Sequence, residues 1–151
     1  MAQDVIQTRE EVASQFKTHD LDNGPYLCLY KSTFVPAETS TKTDFLANEV
    51  VFTGYAPFQM SGGFLMGLTP GNDVQLISVI PAIFTQTATT ASDIAGGWFM
   101  VDDHTSPTKL EGSGAFVAPF SFNKVGNTVS VNTKQIVSLD SDADVETLVG
   151  P

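Results

Sequence analysis

Apolar positions recur at helical spacing only near the start of the chain. Val5, Ile6, Val12, Ala13 and Phe16 fall close to one helical face with polar residues between them, which predicts a short amphipathic helix. The run Thr8 to Glu11 has the form of a capping box and offers an alternative start. "HDLDNGP" (19–25) then supplies turn formers and a proline to end it. One such helix cannot bury its own apolar face. Val5, Ile6, Val12 and Phe16 are therefore candidate contact residues, against the domain that follows or against another subunit.

From residue 25 the pattern changes to short apolar runs bounded by turn residues. "YLCLYKS" (26–32) is apolar at nearly every position, as expected of a strand covered on both faces. "STFVPAETSTKTDFLANE" (32–49) is rich in Ser, Thr and Pro and reads as a long loop. "VVFTGYAPF" (50–58) and "GFLMGL" (63–68) read as strands joined by a Ser-Gly-Gly turn. "VQLISVIPAIFTQ" (74–86) follows, with Pro81 marking an edge, a bulge or a break. "GGWFMVDD" (96–103) and "SGAFVAPFSF" (113–122) flank a polar loop, and "NTVSVNTKQIVSL" (127–139) closes the series. Alternation supports the strands: Trp98 and Met100 share one face, Phe99 and Val101 the other, and Phe116, Ala118, Phe120 and Phe122 one face of theirs. Seven strand candidates with one helix predict a mainly β chain, an antiparallel β-sandwich of jelly-roll or Greek-key type with one short N-terminal helix. The organisation expected is an N-terminal helix or arm (1–24), a sandwich domain (25–139) and an acidic tail, "DSDADVETLVGP" (140–151).

Composition narrows the partners. The 151 residues carry 17 Asp and Glu against 7 Lys and Arg, a formal net charge of −10. Such a field repels phosphate backbones and anionic lipid, and no basic cluster overcomes it locally, so neither nucleic acid nor membrane is expected. Charged residues make up only 16% of the chain, so Thr, Ser, Asn and Gln must cover much of its surface. Residues 1–11 lack the basic and apolar regions of a signal peptide. The expectation is synthesis in a cytoplasm without a conventional export signal.

Few side chains offer chemistry. Cys28 is the single cysteine, set among apolar residues where a free thiol behaves as a small buried hydrophobe. His104 in "DDHTS" (102–106) is the best polar cluster, and catalysis there would make it a base oriented by Asp102 or Asp103. Neighbouring residues of one strand point to opposite faces, so a loop that satisfies its own turn is the simpler account. No HExxH, CxxC or complete calcium-loop spacing is present; "DSDAD" (140–144) lacks the glycine and the bidentate glutamate. No catalytic, cofactor-binding or metal residues are therefore assigned, no cofactor is expected, and the chain is not expected to be an enzyme. Trp98 and Tyr55 are the candidate ligand aromatics, should either form a platform for a sugar ring. Core packing is the commoner fate of an aromatic on a strand.

In order, "LCLYKSTFVPAET" (27–39), "FTGYA" (52–56), "GGWFMVDD" (96–103), "FVAPFSF" (116–122) and "VGNTVSVNTKQIVSL" (125–139) resemble segments of small bacteriophage virion proteins. The resemblance spans residues 4–139. It implies a β-sandwich that serves as a structural part of the particle, located in the virion after synthesis in the host cytoplasm. The role implied is an oligomeric capsid decoration or cement protein, or a neck or tail component. Its partners would be other virion proteins, such as the major capsid or neck and tail proteins, and further copies of itself, as in a trimer. It supplies no catalytic residues. The insert "GNDVQLISVIPAIF" departs from the pattern in length and leaves the position in the virion open. The alternative is a tail-associated or secreted carbohydrate-binding module that grips a glycan through loops around 36–48 and 102–112.

Overall fold

The computed structural model describes residues 21–60, 63–68 and 74–137, together with the isolated helical positions Glu11, Ser14, Lys17 and Thr18. Val5, Ile6, Val12 and Phe16, the capping box at Thr8 and the acidic tail lie outside the described residues.

A 3-10 turn at Leu21–Asn23 leads through Gly24, at φ +74°, into β1 (Tyr26–Lys31). There follow α1 (Lys42–Ala47), β2 (Phe58–Gln59), β3 (Phe64–Leu68), β4 (Val74–Ser78) and β5 (Ala82–Thr85). β6 (Asp93–Val101), β7 (Leu110–Phe122), β8 (Thr128–Val131) and β9 (Lys134–Val137) complete the order. The chain is mainly β, and every strand pair among the described residues is antiparallel. Among the described residues three sheets form, in the orders β2-β1-β6-β7, β3-β4-β9 and β5-β8.

β1 and β6 are the centre. Their register sets Leu27 against Met100 and Leu29 against Trp98 on one face, and Cys28 against Phe99 on the other. The first face joins a core fed by all three sheets, including Phe64, Leu76, Phe84, Phe122 and Val131. The second face forms a smaller cluster of Cys28, Tyr30, Phe45, Phe99 and Val101. That division explains why 26–30 and 98–101 are apolar without alternation: both faces are covered.

Two glycines make room for aromatic rings. Tyr30 lies directly across from Gly97, and Trp98 across from Gly114. A Cβ on Gly114 would stand 2.5 Å from the indole Nε1. Each ring thus covers the bare backbone of its cross-strand partner. Gly96 is skipped on both sides: β1 slips its register between Tyr30 and Lys31, and Phe116 to Pro119 of β7 bulge out opposite it. Phe116, Phe120 and Phe122 still share the main-core face, while the bulge leaves Ala118 exposed and puts Val117 fully into solvent, at 109% exposure.

Three readings of the sequence are corrected, and the break offered at Pro81 is found. The segment 32–49 is not all loop, because Phe45 needs burial and α1 provides it. Thr41 caps α1: its hydroxyl accepts from Asp44 N, and the Asp44 carboxylate accepts from Thr41 N at 2.8 Å. Residues 50–58 are not one strand. Gly54, at φ +96°, turns the chain after Phe52, and only Phe58–Gln59 pair as a strand. Residues 74–86 and 127–139 each divide in two. Val79, Ile80 and Pro81 stand opposite Asn132 alone, so the ribbon formed by these segments bends there and passes from the β4-β9 pair to the β5-β8 pair. Ser78 and Thr133 hold the bend: Ser78 N donates to Thr133 O at 3.1 Å, and Thr133 N to Ser78 Oγ at 3.0 Å.

Candidate functional site

The polar cluster that the fold assembles lies on the second face of β1. Cys28 forms its floor, with no exposure. β2 pairs with β1 only at Tyr26 and Leu27, so the rest of that edge needs other partners. Glu49, after α1, makes an isolated bridge with Tyr30, and Val50 N donates to Leu29 O at 3.0 Å. The Leu29 N–H donates instead to the hydroxyl of Tyr55, at 3.1 Å. The turn at Gly54 brings that hydroxyl back, and it donates in turn to Glu49 Oε1 at 2.5 Å.

The other carboxylate oxygen, Glu49 Oε2, lies 3.2 Å from His104 Nε2. His104 belongs to the loop between β6 and β7, which short-range bonds stiffen. Asp102 accepts from Thr108 N at 2.8 Å, from Lys109 N at 3.0 Å and from the Thr108 hydroxyl; Asp103 accepts from Thr105 N at 3.0 Å. Lys42 Nζ of α1 donates to Pro107 O at 2.6 Å and ties the loop to the helix. The side chains of His104 and Glu49 are 35% and 17% exposed, so the cluster runs from a buried thiol to a half-open imidazole.

Burial, then the negative charge of Glu49, pushes the Cys28 thiol far up from its ordinary value. Burial likewise pushes the Tyr55 phenol up, with the neighbouring Cys28 and Glu49 adding to it. Both stay protonated at neutral pH. Asp102 goes the other way: its partial burial raises its pKa, but the four donors around it outweigh that and hold it down at about 2.

The fold therefore rearranges the candidates. Cys28 is buried, as its apolar neighbours implied, yet beside Glu49 and His104 and not in wholly apolar surroundings. Asp102 and Asp103 bond their own loop, and neither orients His104; the carboxylate that does is Glu49. Trp98 is 7% exposed and packs in the main core, while Tyr55 is half-buried with its ring against Phe52 and Phe84. No local motif joins residues 28, 49 and 104. Only the pairing of β1 with Glu49 on one side and β6 on the other brings them together.

Comparison with protein-family models, with curated proteins and with solved structures gives no match to this chain. Its class is set by its own architecture: a mainly β protein of antiparallel sheets around one main core.

Proposed function

We propose that this chain is a bacteriophage virion structural protein whose sheets pack as a β-sandwich, of jelly-roll or Greek-key connection. It works through subunit contacts, as an oligomeric capsid decoration or cement protein or as a neck or tail component. One observation carries the reading. Ten large apolar side chains remain exposed among the described residues, on a chain with few charges. Leu65, Met66, Val79 and Ile80 belong to β3 and the bend after β4, and Val117 to the bulge of β7. Those on β3, on the bend after β4 and on the β7 bulge offer apolar contact surface to another copy. Supporting it, the outer edge of the 13-residue β7 has no strand partner among the described residues, and Glu111 is the only charge on that strand. The stretch of that edge ahead of the Phe116 to Pro119 bulge, with so little charge, is open to pairing with another chain. The core shared by all three sheets supports the sandwich packing.

Light scattering on the purified chain, with and without residues 1–18, tests the assembly. A defined oligomer that loses subunits on removal of the helix is expected. A monomer indifferent to the deletion would overturn the reading.

A further inference from the structure

We propose that Cys28, Glu49 and His104 bind one borderline transition-metal cation, of which Zn²⁺ is the type, with the fourth coordination position open on the His104 side. The proposal stands apart from any virion role, and the two can fail separately.

The geometry comes first. One ligand atom from each residue, a sulfur, a carboxylate oxygen and an imidazole nitrogen, lies within 4.8 Å of the other two. Around a tetrahedral zinc, with Zn–S of about 2.3 Å and Zn–N or Zn–O of about 2.0–2.1 Å, ligand atoms stand roughly 3.3–3.6 Å apart. The Glu49–His104 separation, 3.2 Å, already matches. The sulfur needs to approach by at most about 1.2–1.3 Å.

The donor set then selects the ion. Calcium and magnesium take oxygen ligands and have no use for a thiol. Sulfur, imidazole and carboxylate together suit zinc and its neighbours in the transition series. Three protein ligands leave one position for water, as in open zinc sites. The gradient of exposure from Cys28 through Glu49 to His104 puts that position toward solvent, which also gives the ion a way in.

Hydrogen bonds behind Glu49 hold it in place. The Tyr55 hydroxyl donates to the carboxylate oxygen turned away from His104 and is itself fixed by the Leu29 N–H. A carboxylate oriented from behind is the usual outer-shell arrangement at metal sites. Without a cation, the buried thiol has no reason to ionise. On binding, the S–H bond breaks, the sulfur forms its bond to the metal, and the proton leaves to solvent. His104 contributes the lone pair of Nε2, with its proton on Nδ1, and the contact between His104 and Glu49 gives way to two bonds to the ion.

The test uses the full chain, stripped with chelator and titrated with Co²⁺, then with Zn²⁺. The expected result is a thiolate-to-cobalt charge-transfer band with tetrahedral d–d bands, saturating at one ion per chain and lost when Zn²⁺ displaces the cobalt. His104→Ala at the rim should weaken zinc binding at least tenfold, and Tyr55→Phe, which leaves all three ligands in place, about 10- to 100-fold. Saturation without a charge-transfer band, affinity unchanged in Cys28→Ser, or no binding at all would overturn the site. Should Cys28→Ser fail to fold, the cobalt spectrum of the unaltered chain decides alone, because only sulfur ligation gives that band.

Discussion

At the scale of single residues, the tightest constraint is at Gly97. A Cβ there would lie closer to Gly114 O and to the Tyr30 ring than real Cβ contacts do, and one of those obstacles is backbone. Gly126 is the useful contrast: its φ is +89° but nothing stands within 4 Å of its missing Cβ. Gly97→Ala must push apart a sheet at its centre, and overpacking of that kind costs about 1–3 kcal/mol or more. Gly126→Ala meets only left-handed backbone strain, about 1–2 kcal/mol. Urea unfolding should therefore show a lower midpoint for both, with Gly97→Ala the larger loss. Equal losses would mean that both the Tyr30 ring and the Gly114 carbonyl give way freely. Tyr55 makes the same point with polar atoms. Its hydroxyl satisfies a strand N–H and a carboxylate together, so Tyr55→Phe strands both, at about 1–3 kcal/mol, in apo protein as in any metal-loaded form.

At the scale of elements, the loop between β6 and β7 should report acid. Asp102 is held at about 2 in the folded chain, against about 3.9 for a free carboxyl. A folded value below the unfolded one means that its stabilisation is complete above about pH 4 and is lost as pH falls through about 2. Asp102→Asn removes that term, so the urea-midpoint gap between the two chains should be widest near neutrality and close toward pH 2. A gap independent of pH would show that the hydrogen-bond acceptor matters and its charge does not. How far such elements were legible beforehand depends on the length of their signal. β1 and β6 announced themselves, because burial of both faces leaves a continuous apolar run. Pro81 marked the bend after β4, but its partner Asn132–Thr133 carries no breaker, so 127–139 read as one strand. α1 has six residues, too few for a helical period, and its one trace was the Thr41–Asp44 cap. The cluster of Cys28, Glu49 and His104 had no trace at all: strand pairing between distant segments makes it, and spacing along the chain does not encode that.

At the scale of the whole molecule, two opposing quantities govern association. Each copy carries −10, so copies repel at long range. Against this stand ten apolar side chains that are 42–109% exposed. Covering a Val, Leu or Ile contributes roughly 1.5–3 kcal/mol when fully exposed beforehand. Association costs about 4–15 kcal/mol in lost freedom. Covering about half of these side chains on each of two copies is thus enough to offset that cost, and apolar contact is the term with the capacity to drive assembly. Salt separates it from its alternatives. Raising ionic strength from about 0.01 M to about 1 M shortens the Debye length from roughly 30 Å to roughly 3 Å. The repulsion between acidic copies is then screened while the apolar term is untouched. Sedimentation of the full chain should accordingly show association tightening with added salt, and Leu65→Glu or Val117→Asp should reverse that gain where the substituted residue lies in the contact. Association that loosens with salt would assign the contact to ion pairs, and the exposed apolar groups would lose their claim to it.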